Sequence, residues 1–226
     1  MCGRFSILTP DDILEKRFKA KVQEPLFHHY NAAPSQKLPV ITNDQPEAIR
    51  LGLWGLRPKW LKRDKHQDGF INARAETLLT KPSFRAPFKK RRCLIIADGF
   101  FEWQRGRPGG KQPYRITLKN DEPFAFAGLW ELYQTKPGRI IPSFAIITTN
   151  SNSLVASVHN RMPVMLDKKD EQYWIDDEAK TDDLMNLLKP YPERQLKLFP
   201  VSHLVNSPSV DVPEVIQPIE LDSWLP

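Results

Sequence analysis

The sequence predicts a fold of short strands mixed with short helices, and three observations carry that prediction. The chain has 226 residues, enough to bury a full core, and one domain over 1–226 is the expectation for that length. Its 21 prolines against 10 glycines imply many rigid turns, so long uninterrupted helices are not expected. Between the turns lie short apolar runs that read as strands, interspersed with segments that carry helix-start signals.

Composition narrows the class. No apolar run reaches the length of a membrane span, and no basic segment followed by an apolar stretch opens the chain, so a cytoplasmic protein without a leader is expected. Cys2 and Cys93 are the only cysteines. They lack metal-ligand spacing, which points to a reducing compartment with neither a disulfide nor a zinc framework. The net charge of +6 is compatible with a nucleic-acid partner. No metal or other cofactor is expected.

Taken in order, Thr9-Pro10-Asp11-Asp12 starts a helix, with Thr9 as N-cap, Pro10 at the first position and acids in the first turn. It is predicted to run to about Lys21 with Ile13, Leu14 and Phe18 inward. His28 and His29 follow without a third ligand at a suitable spacing. Leu38 to Ile41 and Ala48 to Leu53 read as strands paired through the turn at Asn43–Pro46. Residues 54–63 then interleave Trp54 and Trp60 with Arg57, Lys59, Lys62 and Arg63. Such a pattern suits single-stranded nucleic acid, where bases stack on aromatics beside phosphate-binding cations; it suits equally a core tryptophan with a solvated basic rim. In an extended segment Asn72 and Arg74 share a face, and an amide beside a guanidinium fits a phosphate or sugar oxygen. The run Lys89–Arg92 reads as a solvated turn. Cys93 to Trp103 is the most apolar stretch and is predicted as one buried strand, with Cys93 an inert core thiol. Glu102 stands in it between Phe101 and Trp103, either paired with an arginine or raised in pKa as a general acid–base. A hairpin loop at Gly106–Gly110 and strands at 114–118, 124–130 and 144–149 follow. A short helix at 151–158 delivers His159, and Val164 to Leu166 forms a strand. Helices capped at Asp167 and near Thr181, a strand at 196–201 and a draping tail complete the chain.

The chemistry that organises the sequence lies in its first residues, Met1-Cys2-Gly3-Arg4-Phe5. Residue 2 is small, so removal of Met1 is expected, leaving an α-amine and a thiol on Cys2. Their reference pKa values, roughly 7.7–8.0 and about 8.5, put both partly in nucleophilic form near neutrality. An aldehyde meeting this end forms an imine with the amine, and the thiol then closes a five-membered thiazolidine. Arg4 supplies a fixed cation suited to phosphate.

Six segments occur in register: Cys2-Gly3-Arg4-Phe5, Tyr30-Asn31-Ala32-Ala33-Pro34, Trp54-Gly55-Leu56, Ile71 to Thr77, Ala97 to Trp103 and His159-Asn160-Arg161-Met162-Pro163. In this the chain resembles the SOS-response-associated peptidase (SRAP) family of abasic-site processing proteins. The resemblance implies a single α+β domain around a curved, barrel-like, mainly antiparallel sheet flanked by short helices. It also implies a thiazolidine crosslink between Cys2 and the ring-opened aldehyde of an abasic site in single-stranded DNA. Asn72 would then be an orienting amide, Glu102 the acid–base group and His159 a polar partner of the sugar. Arg4, Arg74 and Arg161 would hold phosphates, and Trp54, Trp60 and Trp103 would shape the DNA surface. A monomer is expected, nucleoid-associated if bacterial. Residues 57–70 match the family least. Three other classes use parts of the pattern. A cysteine peptidase would use Cys, His and Asn, and an N-terminal-nucleophile hydrolase would use the free Cys2. A plain nucleic-acid-binding module would explain the charges and tryptophans but leave Cys2 and Glu102 without a role.

Overall fold

A sheet that closes on itself defines the architecture of the computed structural model, which describes residues 2–58, 69–107, 110–134, 138 and 140–221. The elements are, in order, β1 (Phe5–Ile7), α1 (Asp11–Phe18), β2 (Lys21–Val22), β3 (His29–Ala32), β4 (Lys37–Thr42), β5 (Gln45–Trp54), β6 (Asn72–Arg74), α2 (Pro82–Lys90), β7 (Arg92–Ala97), β8 (Gly99–Arg107), β9 (Gly110–Leu118), β10 (Phe124–Gln134), β11 (Ile140–Asn150), α3 (Ser153–Ala156), β12 (Arg161–Pro163), α4 (Lys168–Trp174), α5 (Thr181–Leu187) and β13 (Leu196–Pro200). Strands β5, β4, β7, β10 and β11 pair antiparallel in that order. A parallel pairing of β11 back onto β5, Ser143 with Leu53 and Phe144 with Trp54, closes them into a five-stranded barrel. A second, five-stranded sheet of order β13-β9-β8-β1-β3 flanks it.

The closure is local chemistry. Gly55 takes φ +135°, a conformation L side chains rarely adopt, and its N–H bonds Phe144 O at 2.9 Å. Trp54 is fully buried, its ring 5.0 Å from that of Phe5 and 6.3 Å from that of Phe144. Its indole N–H donates to Ile71 O at 3.0 Å. Trp54 is therefore a core residue, and the expectation that it shapes a DNA surface is corrected.

The stretch predicted as one strand from Cys93 to Trp103 is two, broken at Asp98. There the carboxylate accepts from Leu8 N at 2.5 Å, Ser6 Oγ at 2.7 Å and the Arg115 guanidinium at 3.2 Å. The chain passes at this point from the barrel to the flanking sheet. A Cβ on Gly99 would lie 2.7 Å from Arg115 Nε, so a side chain there would displace that guanidinium. Helix α1 also differs from expectation: it ends at Phe18, Lys19 turning left-handed at φ 54°. Leu14 and Phe18, four apart, define its buried stripe, which leaves Ile13 exposed. The predicted strand at Val164–Leu166 is displaced to β12, just upstream.

The basic run is not a solvated turn throughout. Arg92 is buried, its guanidinium donating to the carbonyls of Trp174 (2.7 Å), Phe88 (3.0 Å), Lys89 (2.9 Å) and Asp176 (2.6 Å). Lys89 and Lys90 close α2 on its exposed side. Arg92→Met is expected to cost at least about 3 kcal/mol in urea unfolding, because several buried carbonyls lose their donor. Lys90→Met should stay within about 0.5 kcal/mol of wild type. Equal losses would show that the run acts only through its charge.

Candidate active site at the chain terminus

Strand β1 lies beside β8 in the flanking sheet, Phe5 opposite Phe100. Phe101 N donates to Arg4 O at 3.1 Å, so residues 2–4 continue along β8 toward Glu102. The pleat sends alternate side chains of β8 to opposite faces. Phe100 joins the main core, whereas Phe101 packs with Val201, Val205 and Val215 in a second one that Trp103 adjoins. Glu102 therefore faces away from Phe101 and Trp103, and its desolvation comes from the junction between flanking sheet and barrel.

At that junction four predicted residues meet. Cys2 is fully buried, its Sγ 3.7 Å from Arg4 O. Asn72 donates through Nδ2 to Cys2 O at 2.9 Å, fixing the residue's backbone. Its Oδ1 is buried with no hydrogen-bond partner among the described residues. Glu102 is only 2 % exposed. His159 Nδ1 stands 4.0 Å from Glu102 Oε2 and accepts from Arg161 N at 3.0 Å. Two neighbours of β11 bring these groups in: β6, running parallel to it with Asn72 opposite Ile146, and β12, antiparallel to it. The short helix α3, capped by the Asn152 side chain on Val155 N at 2.9 Å, delivers His159.

Burial sets the electrostatics. It pushes the Glu102 carboxyl from its ordinary value near 4.5 up to about 7, with the positive charge of the chain's amino terminus working against it. Burial also pushes the Cys2 thiol up, and the Glu102 charge adds to that rise. The thiol thus stays protonated near neutrality, beside a carboxyl poised to exchange protons. Cys93, buried in β7, is raised by burial as well, consistent with an inert core thiol.

The three predicted cations divide. Arg74 is exposed and makes no ion pair among the described residues. Arg161 grips Glu76 through both nitrogens at 2.6 and 3.0 Å and donates to Thr148 O and Asn150 Oδ1; that grip holds Glu76 below the usual carboxylate range. Arg4 is half-buried and donates to Asn31 Oδ1 at 2.8 Å, Val205 O at 2.6 Å and Asn206 O at 3.2 Å. Trp103 is half-buried, its indole N–H on Asn206 Oδ1 at 2.7 Å, and Trp60 lies outside the described residues. Sequence reasoning placed Asn31 in the Tyr30–Pro34 motif but gave it no role; it is a fully buried amide. His29, weighed as a metal ligand, pairs instead with Asp211 at 2.8 Å.

Residues 1–208 match the model of the SOS response associated peptidases (SRAP), and the chain belongs to that family. The abasic site processing protein YoqW of Bacillus subtilis is 44% identical over 223 residues, covering 96% of this chain and 99% of its own. The abasic site processing protein HMCES of Gallus gallus is 34% identical over 226 residues, covering 85% of this chain and 66% of its own. A crystal structure of a Bacteroides thetaiotaomicron protein superposes with a TM-score of 0.86 at 27% identity, covering 97% of this chain and 100% of that one.

The raised Glu102 predicts a signed pH dependence. A carboxyl favoured in its protonated form by the fold contributes stability that is fully present below about 4.5 and lost as pH rises through about 7. Glu102→Gln, neutral at every pH, should melt like wild type near pH 4.5 and above it at pH 8, by an amount bounded at about 3 kcal/mol. A variant less stable than wild type at pH 8 would make Glu102 an ion-pair anchor instead.

Proposed function

We propose that this protein processes abasic sites in single-stranded DNA by joining Cys2, freed of Met1, covalently to the lesion. The observation that carries the reading is the buried Cys2 beside a carboxyl of pKa about 7, with Asn72 on the Cys2 carbonyl and His159 within 4.0 Å of Glu102. The family match and the relatives' names, abasic site processing proteins, support it, as does the net charge of +6.

The steps follow from the groups present. An abasic sugar is mostly a closed hemiacetal; opening it moves a proton from the C1′ hydroxyl to the ring oxygen, a transfer for Glu102 and His159. The Cys2 amine adds to the aldehyde carbon, and the resulting carbinolamine loses water to give an imine. Glu102, near half-ionised at neutral pH, accepts the amine's proton and returns one to the departing hydroxyl. The Cys2 sulfur then adds to the imine carbon. Its proton passes to the nitrogen and the thiazolidine closes. Run backwards, the same transfers release the DNA. Removal of Met1 adds water across the Met1–Cys2 amide, and the same carboxylate serves as base for that water. Arg74, exposed and two residues from Asn72 on β6, would meet a phosphate in this reading. A conventional cysteine peptidase fits less well, since it needs a thiol pKa that is depressed and burial raises that of Cys2.

The test is single-stranded DNA carrying one abasic site, mixed with the protein and run under denaturing conditions. Wild type should give a slow-migrating conjugate that Cys2→Ala and an N-terminal extension both abolish. Glu102→Gln, trimmed of Met1 beforehand, should form and release it about 10²- to 10⁴-fold more slowly. A stable conjugate of undiminished yield from a protein with a blocked terminus would refute the reading.

A further inference from the structure

The outer face of the flanking sheet carries a second polar network that the proposed chemistry does not use. Residues 203–217, with 3₁₀ turns at His203–Asn206 and Pro213–Ile216, cross this face behind Cys2. Val205 and Val215 pack there on Phe101, next in β8 to Glu102. Arg4 donates to Val205 O and Asn206 O. The Asn31 amide donates to Val205 O at 3.3 Å, Ser207 O at 2.9 Å and Val210 O at 2.8 Å, while its oxygen accepts from Arg4 at 2.8 Å. Asp211 accepts from Asn31 N at 2.9 Å and pairs with His29 at 2.8 Å. The segment from Val210 onward lies beyond the 1–208 span of the family match.

We infer that this strap presets the Cys2 nucleophile, and that Arg4 and Asn31 are positioning residues rather than DNA ligands. A chain terminus frays unless it is tied down. Residues 2–4 precede β1, and among the described residues they are tied by Asn72 on Cys2 O, Phe101 N on Arg4 O, and the Arg4 side chain on the strap. The first reaches to the barrel and the last to the strap on the outer face. Arg4 spends three donor contacts on buried or backbone oxygens, so delivering it to a phosphate would break ties that fix the reacting residue two positions away. Displacing a reacting group by about 1 Å costs on the order of 10²-fold in rate, which is the scale on which a lost tie should be felt.

The inference rests on the crosslinking reading for its kinetic half and on structure alone for the rest, and the experiment separates the two. Arg4→Ala, Asn31→Ala and Asp211→Ala are compared in the full chain; Asp211→Ala removes one anchor only and serves if Asn31→Ala does not fold. Amide hydrogen exchange over residues 3–6, read without DNA, should quicken in all three variants. With abasic single-stranded DNA at saturation, crosslinking by Arg4→Ala and Asn31→Ala should slow about 10- to 100-fold. Their affinity for DNA carrying a tetrahydrofuran analogue, which has no aldehyde, and its salt dependence should match wild type. Unchanged exchange in Asn31→Ala or Asp211→Ala would overturn the strap. So would an Arg4→Ala that binds more weakly and flattens the slope of log K against log salt by about 0.7, the value of one lost phosphate contact, with its saturated rate intact. Absence of any conjugate from wild type would sink the crosslinking reading, while the exchange data would still decide the strap.

Discussion

Packing of Phe5 against Trp54 joins the chain terminus that carries Cys2 to the rest of the molecule. Phe5 sits 5.0 Å from Trp54 and 5.9 Å from Phe126 by ring centroid, so the first strand of the flanking sheet is set into the barrel core. Trp54 in turn occupies the parallel seam that closes the barrel and bonds Ile71, the residue before Asn72. One buried indole thereby fixes the spacing between Cys2, three residues from Phe5, and the amide that holds its carbonyl. A group at a chain end is ordinarily the least ordered part of a protein. Here it is held because its strand shares a core with a closed sheet.

The same burial sets the ionisation of the site. Removing a carboxyl and a thiol from water raises both pKa values, and the Glu102 charge raises that of Cys2 further. The result is a protonated sulfur beside a carboxyl that changes state near neutrality. The basic side chains are sorted by the same logic. Arg92 is satisfied by carbonyls in the core, Arg161 by Glu76, and Arg4 by the strap. Arg74 alone of the three predicted phosphate cations stays exposed.

Much of this was legible in the sequence where local rules decide. The β4–β5 hairpin followed from two apolar runs around Asn43-Asp44, and β9, β10 and β11 from apolar runs between turns. The meeting of Cys2, Asn72, Glu102 and His159 was legible only through six motifs in register, because three of them come from separate sheet neighbours. What was missed is tertiary. The break at Asp98 depends on Leu8, Ser6 and Arg115, far away in sequence. Trp54 and Arg92 carry ordinary surface signatures, aromatic beside cation and a basic run, and only packing buries them. Phe101 and Trp103 were credited with desolvating Glu102 by adjacency, yet a strand places adjacent residues on opposite faces.

The account turns on the ionisation of one carboxyl beside Cys2. The most direct measurement is a pH titration of the Glu102 side-chain carboxyl carbon by NMR, in protein labelled at glutamate and assigned with Glu102→Gln. A midpoint at about 7 is the result this structure requires. A midpoint near the ordinary 4.5 would leave Glu102 fully ionised at neutral pH, with no proton to give a departing hydroxyl, and would contradict it.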